Sequence, residues 1–82
     1  SINFTVTMME TLRKLEQAIG KHIKTTGDFP KLIEVGEKVR FRIVKDMSSM
    51  INNFNKDEEI VFAGVPIELR EDLPEDIEFY LT

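Results

Sequence analysis

The sequence predicts an α+β domain: a small sheet with a C-terminal β-hairpin and two helices packed on one of its faces. Two long segments repeat apolar residues at steps of three and four, as a helix with one buried stripe requires. Shorter runs of β-branched and aromatic residues lie between and after them, bounded by glycine, proline and aspartate. A chain of 82 residues with 41% apolar side chains supports one core and therefore a single domain over residues 1–82.

Met8, Leu12, Leu15, Ile19 and Ile23 fall on one stripe and predict the first helix over residues 8–24. Thr7 and Glu10 have the spacing of a capping box at its start. Lys21, His22 and Lys24 suit the negative end of the helix dipole, and Gly27 lies just beyond. Ahead of it Ile2, Phe4 and Val6 alternate with polar residues, which favours a short strand. Residues 25–30 form a connection, and 31–35 read as a strand ended by Gly36.

The next stretch admits two readings. As a helix over 37–54 it offers Val39, Ile43, Met47, Met50 and Phe54 on one stripe, which should meet the Leu12, Leu15 and Ile19 stripe or the sheet. As a strand over 37–44 it would alternate Val39, Phe41 and Ile43 with Arg40 and Arg42. Four cations near a helix N-terminus also oppose the dipole. The helix is preferred, because a tight hairpin through Gly36 would put Ile33 and Val35 on the same face as Arg40 and Lys38. Residues 60–69 are rich in β-formers, with Pro66 expected at an edge or bulge. After a turn over 71–76, Ile77, Phe79 and Leu81 share a face, so 60–69 and 77–81 are read as the two arms of the hairpin.

Charge divides the chain more sharply than its net −4 suggests. Residues 1–56 carry ten cations and six carboxylates, whereas residues 57–82 carry Arg70 against nine carboxylates. Such a split either pairs within the fold or shows faces of opposite sign to solvent. Zero cysteines exclude disulfides, thiolate nucleophiles and cysteine-ligated metal centres. His22 is the single histidine and reads as a solvated residue compensating the dipole. Ser48 and Ser49 lack a base and an orienting partner, the carboxylates do not match a calcium loop, and the scattered glycines form no phosphate-binding loop. The methionines at 8, 9, 47 and 50 read as core filling. Neither an enzyme nor a metal or cofactor site is expected. No apolar run approaches a membrane span, and no signal peptide is visible.

Two surfaces remain as candidates. The acidic one consists of Glu68, Glu71, Asp72, Glu75, Asp76 and Glu78, whose carboxylates can imitate nucleic-acid phosphates toward a basic protein. The same charges also serve solubility. The basic one consists of Lys38, Arg40, Phe41, Arg42 and Lys45, suited to phosphates with Phe41 as a stacking surface, although the overall acidity weighs against a nucleic-acid partner.

The segment Phe62-Ala63-Gly64-Val65-Pro66-Ile67, followed by Leu73-Pro74-Glu75 and Ile77-Glu78-Phe79, resembles the hairpin that closes many short accessory proteins of tailed bacteriophages. The resemblance is confined to these residues, and because its signature is structural it carries over no functional residue. It implies a virus-encoded protein that acts by occupancy, binding or blocking a host protein in the cytoplasm, such as a defence or nucleic-acid-handling factor. The leading expectation is therefore non-enzymatic binding of a host protein with a basic surface through the acidic hairpin. The rivals are a homo-oligomeric structural or ligand-sequestering protein held by basic-to-acidic contacts, and a nucleic-acid binder using residues 38–45.

Overall fold

A computed structural model describes residues 9–82. The strand reading of residues 2–6, the Thr7 half of the capping box and Met8 lie outside the described residues. Helix α1 (Glu10–Thr26) buries Leu12, Leu15 and Ile19, as their spacing predicts. It continues two residues past the expected end at Lys24, and there the hydroxyls of Thr25 and Thr26 donate back to the carbonyls of Lys21 and His22 at 2.9 and 2.8 Å. Gly27 then stops it. With φ at 84° it takes the left-handed conformation that glycine tolerates best, and its N–H closes on the Ile23 carbonyl at 2.7 Å.

The other end of α1 is capped from a distance. Met9 stands at the N-cap and offers no side-chain acceptor. Instead the Leu12 N–H donates to Oδ2 of Asp46, a residue 34 positions later in the chain, at 3.3 Å. Asp46 is buried, and its carboxylate at the positive end of α1 does what a local aspartate cap would do.

Strand β1 (Ile33–Val35) fully buries Ile33 and Val35 and turns Glu34 to the other face. Helix α2 (Glu37–Met50) follows from Gly36 and buries Val39, Ile43, Asp46 and Met47, so the strand reading of 37–44 is overturned. The cations that count against a helix here are offset in part. Glu37 occupies the first turn, Arg40 donates to the Lys56 carbonyl at 3.1 Å, and Arg42 lies 3.6 Å from Glu78. The helix also ends earlier than the stripe predicts. Ile51 is extended and Asn53 is left-handed with φ at 60°, which leaves Met50 more than half exposed on the final turn. Phe54 still packs on the core, but from the loop, so helical spacing reached the right residue by the wrong backbone.

Strands β2 (Ile60–Phe62) and β3 (Val65–Leu69) form the hairpin of the C-terminal part, closed by Ala63 and Gly64 at φ 53° and 80°. Positive φ at both central positions is the two-residue turn that matches the natural twist of paired strands. The hairpin therefore has different arms from those expected, since 60–69 contains both. Strand β4 (Tyr80–Leu81) does not return to β3. It crosses over and pairs antiparallel with β1, giving the order β2-β3-β1-β4 with β1 and β3 parallel. Pro66 consequently sits in an inner strand rather than at an edge or bulge. It is tolerated because Val61↔Pro66 is the non-bonded pair of the hairpin and the β1 ladder begins only at Ile33↔Ile67.

Register sends Ile33, Val35, Ile60, Val65 and Ile67 to the face covered by the two helices, where they join Leu12, Leu15, Ile19, Val39, Ile43 and Met47 in one core. The opposite face carries Glu34, Val61, Pro66, Glu68 and Tyr80.

Two stability predictions follow from these contacts. Asp46→Ala should cost about 1–3 kcal/mol, because it removes the acceptor for a buried N–H, while Asp46→Asn should retain most of that. Urea melts of both variants check this, and a loss below about 0.5 kcal/mol for the alanine would mean that the start of α1 is held by other groups. Ala63→Asn should raise stability by about 0.5–1 kcal/mol, since asparagine tolerates the left-handed conformation that costs alanine. An unchanged or lower melting midpoint would contradict that turn geometry.

Candidate binding surface

The carboxylates expected on one hairpin surface lie in three different places. Glu68 projects from β3 onto the open face of the sheet. Glu71, Asp72, Glu75 and Asp76 are exposed on the crossover 70–79, which forms two successive turns closed by Leu73 N–H to Arg70 O at 3.4 Å and Ile77 N–H to Pro74 O at 3.0 Å. Glu78 faces inward to the helices, where its Oε2 lies 3.7 Å from Lys14 Nζ and 3.6 Å from Arg42 Nη2. Lys14 also lies 3.8 Å from Glu10.

Arg70 ties the other end of the crossover. Its Nε donates to Asp72 Oδ1 at 2.9 Å, its Nη1 lies 3.5 Å from Glu34, and the guanidinium sits 5.2 Å from the centre of the Tyr80 ring. The Asp72 hydrogen bond and charge raise the Arg70 pKa above its ordinary value, with Glu34 adding to them and desolvation opposing. A raised cationic pKa stabilises below the unfolded-state value and is lost only on going above it. Arg70 is therefore a fixed cation, with no pH dependence at neutral or acid pH. The Glu34, Arg70 and Tyr80 group was not singled out from the sequence, because it forms only when β3 and β4 both pair with β1.

The basic segment is divided by the geometry of α2. Successive helical residues are about 100° apart, so Arg40 and Arg42 cannot share a face as they would in a strand. Arg40 reaches the Lys56 carbonyl and braces the turn in which Asp57 N–H donates to Asn55 Oδ1 at 2.9 Å. Arg42 pairs with Glu78. Lys38, Phe41 and Lys45 remain exposed on the outer side, with Phe41 69% exposed.

The two candidate surfaces adjoin each other. A groove of about 520 Å³ runs between the first turns of α2 and the crossover, lined among others by Lys38, Arg42, Glu71, Leu73, Glu75 and Asp76. The charge split of the sequence is thus partly neutralised within the fold. Glu71, Glu75 and Asp76 are left without an ion pair among the described residues. Among the described residues, no three histidine or carboxylate side chains converge as metal ligands would. His22 is half-buried beside Phe79 and Leu81 rather than fully solvated. Comparison of the chain with protein-family models, with curated proteins and with solved structures finds no match. No helix among the described residues is long and apolar enough to cross a membrane.

Asp46 also escaped the sequence reading, although its signal was present. It lies three residues after Ile43 and seven after Val39, so an acid occupies a core-facing position of the helical stripe.

The bridge through Glu78 is half-exposed and should contribute accordingly. Glu78→Gln should lower stability by less than about 1 kcal/mol in dilute buffer, with the difference vanishing near 0.5 M salt. Thermal melts at the two ionic strengths check this, and a difference that persists at high salt would show a packing role for Glu78 beyond its charge.

Proposed function

We propose that this chain is a non-enzymatic binding protein that presents the crossover carboxylates Glu71, Glu75 and Asp76 to a partner with a basic surface. The observation that carries the proposal is their display on two consecutive turns, exposed and free of ion pairs among the described residues, with the loop tied at both ends by Arg70–Asp72 and by Glu78 on Lys14 and Arg42. A loop held in this way loses less conformational freedom when it binds than a free acidic segment would. Charge complementarity would speed encounter with a lysine- and arginine-rich surface and disfavour acidic partners.

The resemblance of residues 62–67 and 73–79 to phage accessory proteins supports a host protein as the partner, blocked by occupancy in the host cytoplasm. A nucleic-acid-handling or defence factor would offer the required basic groove. The two rivals are less well supported. Arg40 and Arg42, on which a phosphate site at 38–45 would draw, are engaged within the chain, and so is Glu78, on which basic-to-acidic pairing between copies would draw.

The test uses Glu71→Gln/Glu75→Gln/Asp76→Asn, leaving Asp72 in place because it holds Arg70. Affinity capture from bacterial lysate supplies the partner, and association rates are then measured for the native and triple-variant proteins at low salt and near 0.5 M. The triple variant should associate about tenfold more slowly at low salt and nearly normally at high salt, where the Debye length falls to about 4 Å. Equal rates at low salt would remove the crossover from the binding surface and leave its charges a solubilising role.

A further inference from the structure

The outer edge of β2 is short, but apart from its three-residue length it lacks the devices that keep sheet edges apart. Ile60, Val61 and Phe62 include no charge, no proline and no bulge. Since Phe62↔Val65 flanks a two-residue turn, it is a bonded pair of the hairpin, as is Ile60↔Ile67 two positions on. Val61 between them therefore directs its N–H and C=O away from β3, toward an edge that no strand covers among the described residues. Exposed apolar side chains flank this edge on both faces. Val61 is 49% exposed on the open face, while on the helix face Met50 is 54% and Ile51 is 48% exposed at the end of α2, where Met50 and Phe62 line one apolar pocket. The opposite edge is different: β4 has two residues and adjoins the ion-paired crossover.

We propose that β2 is a self-association edge, pairing antiparallel with β2 of a second copy about a two-fold axis through Val61. A strand centred on its own axis supplies its own complement, so each Val61 exchanges both backbone hydrogen bonds with its counterpart. This register avoids the repulsion expected between two chains of net charge −4. Glu59 falls opposite Ala63 of the second copy and Glu58 opposite Gly64, so no two carboxylates face each other across the seam. An axis perpendicular to the sheet keeps the helices of both copies on one side and brings Met50 and Ile51 of each toward the seam. The apolar flank thereby supplements a short ladder. The result is a sheet continuous across the two copies, formed independently of the acidic crossover and not held by basic-to-acidic contacts.

Sedimentation velocity over a concentration series tests this. The native chain should approach twice its monomer mass, with a dissociation constant of roughly 10–100 μM as befits a small interface, and the constant should stay the same or tighten near 0.5 M salt. Val61→Pro removes the outward N–H without touching a hairpin bond, and it should abolish the dimer while far-UV circular dichroism is retained. Met50→Asp/Ile51→Asp leaves the strand unaltered and should weaken association by tenfold or more. Val61→Lys serves as the edge-blocking variant should the proline disturb the hairpin, and it too should be monomeric. A native chain that stays monomeric at several hundred μM overturns the proposal, as does a dimer that survives both Val61 variants. A dimer dissolved by salt overturns it as well, and would return the interface to charge pairing.

Discussion

The fold depends on satisfying three residues, Ile33, Glu34 and Val35, on both edges and on one face. A strand this short makes few backbone bonds of its own, yet it occupies an inner position, with β3 parallel on one side and β4 antiparallel on the other. The ladder is extended at its ends by Arg70 N–H to Val35 O at 2.9 Å and Thr82 N–H to Leu32 O at 3.1 Å. Ile33 and Val35 are fully buried beneath the helices, so each lost contact in β1 is felt by the core and by the sheet together. Because β1 precedes α2 and its partners lie more than thirty residues later, the pairing that organises the molecule is also its most distant in sequence. Such contacts carry the largest loop-closure cost and form only with the support of packed helices.

Asp46 plays the corresponding part in the helix layer. A buried carboxylate is costly unless it is hydrogen-bonded in a favourable field, and the N-terminus of α1 provides both. The contact fixes how far α2 slides along α1, since one turn of displacement would leave both the Leu12 N–H and the carboxylate without a partner. It sets the alignment of the two apolar stripes more narrowly than packing of interchangeable Leu, Ile and Met side chains would.

The same economy governs the surface. The chain concentrates positive charge before residue 57 and negative charge after it, and folding brings the two together at the crossover, where Glu78 meets Lys14 and Arg42. Half-exposed ion pairs of this kind add little stability individually, but they restrict the positions available to a ten-residue connection without regular structure. Most other charged side chains among the described residues still face solvent, including Glu71, Glu75 and Asp76 on the crossover and Lys38 and Lys45 beside Phe41. Composition gives the charges but cannot show which of them neutralise one another.

Local periodicity determined a great deal by itself. The stripe of Leu12, Leu15 and Ile19, the stop at Gly27, the strand before Gly36 and the helical stripe of Val39, Ile43 and Met47 are legible because each follows from residues within a few turns of one another. The acidic and basic segments were legible as segments for the same reason. Tertiary structure alone decided where α2 ends, which strands pair and which charges stay free. Phe54 has the spacing of a helical residue and reaches the core from a loop. Ala63-Gly64 lacks the asparagine or aspartate that marks such turns and was read as strand interior. Leu81 alternates as a hairpin arm should, yet pairs with β1. Alternation specifies which face a strand buries, not which neighbour it joins. That choice is made by the distant backbone groups of β1, whose edges can be satisfied only once the helices have placed them.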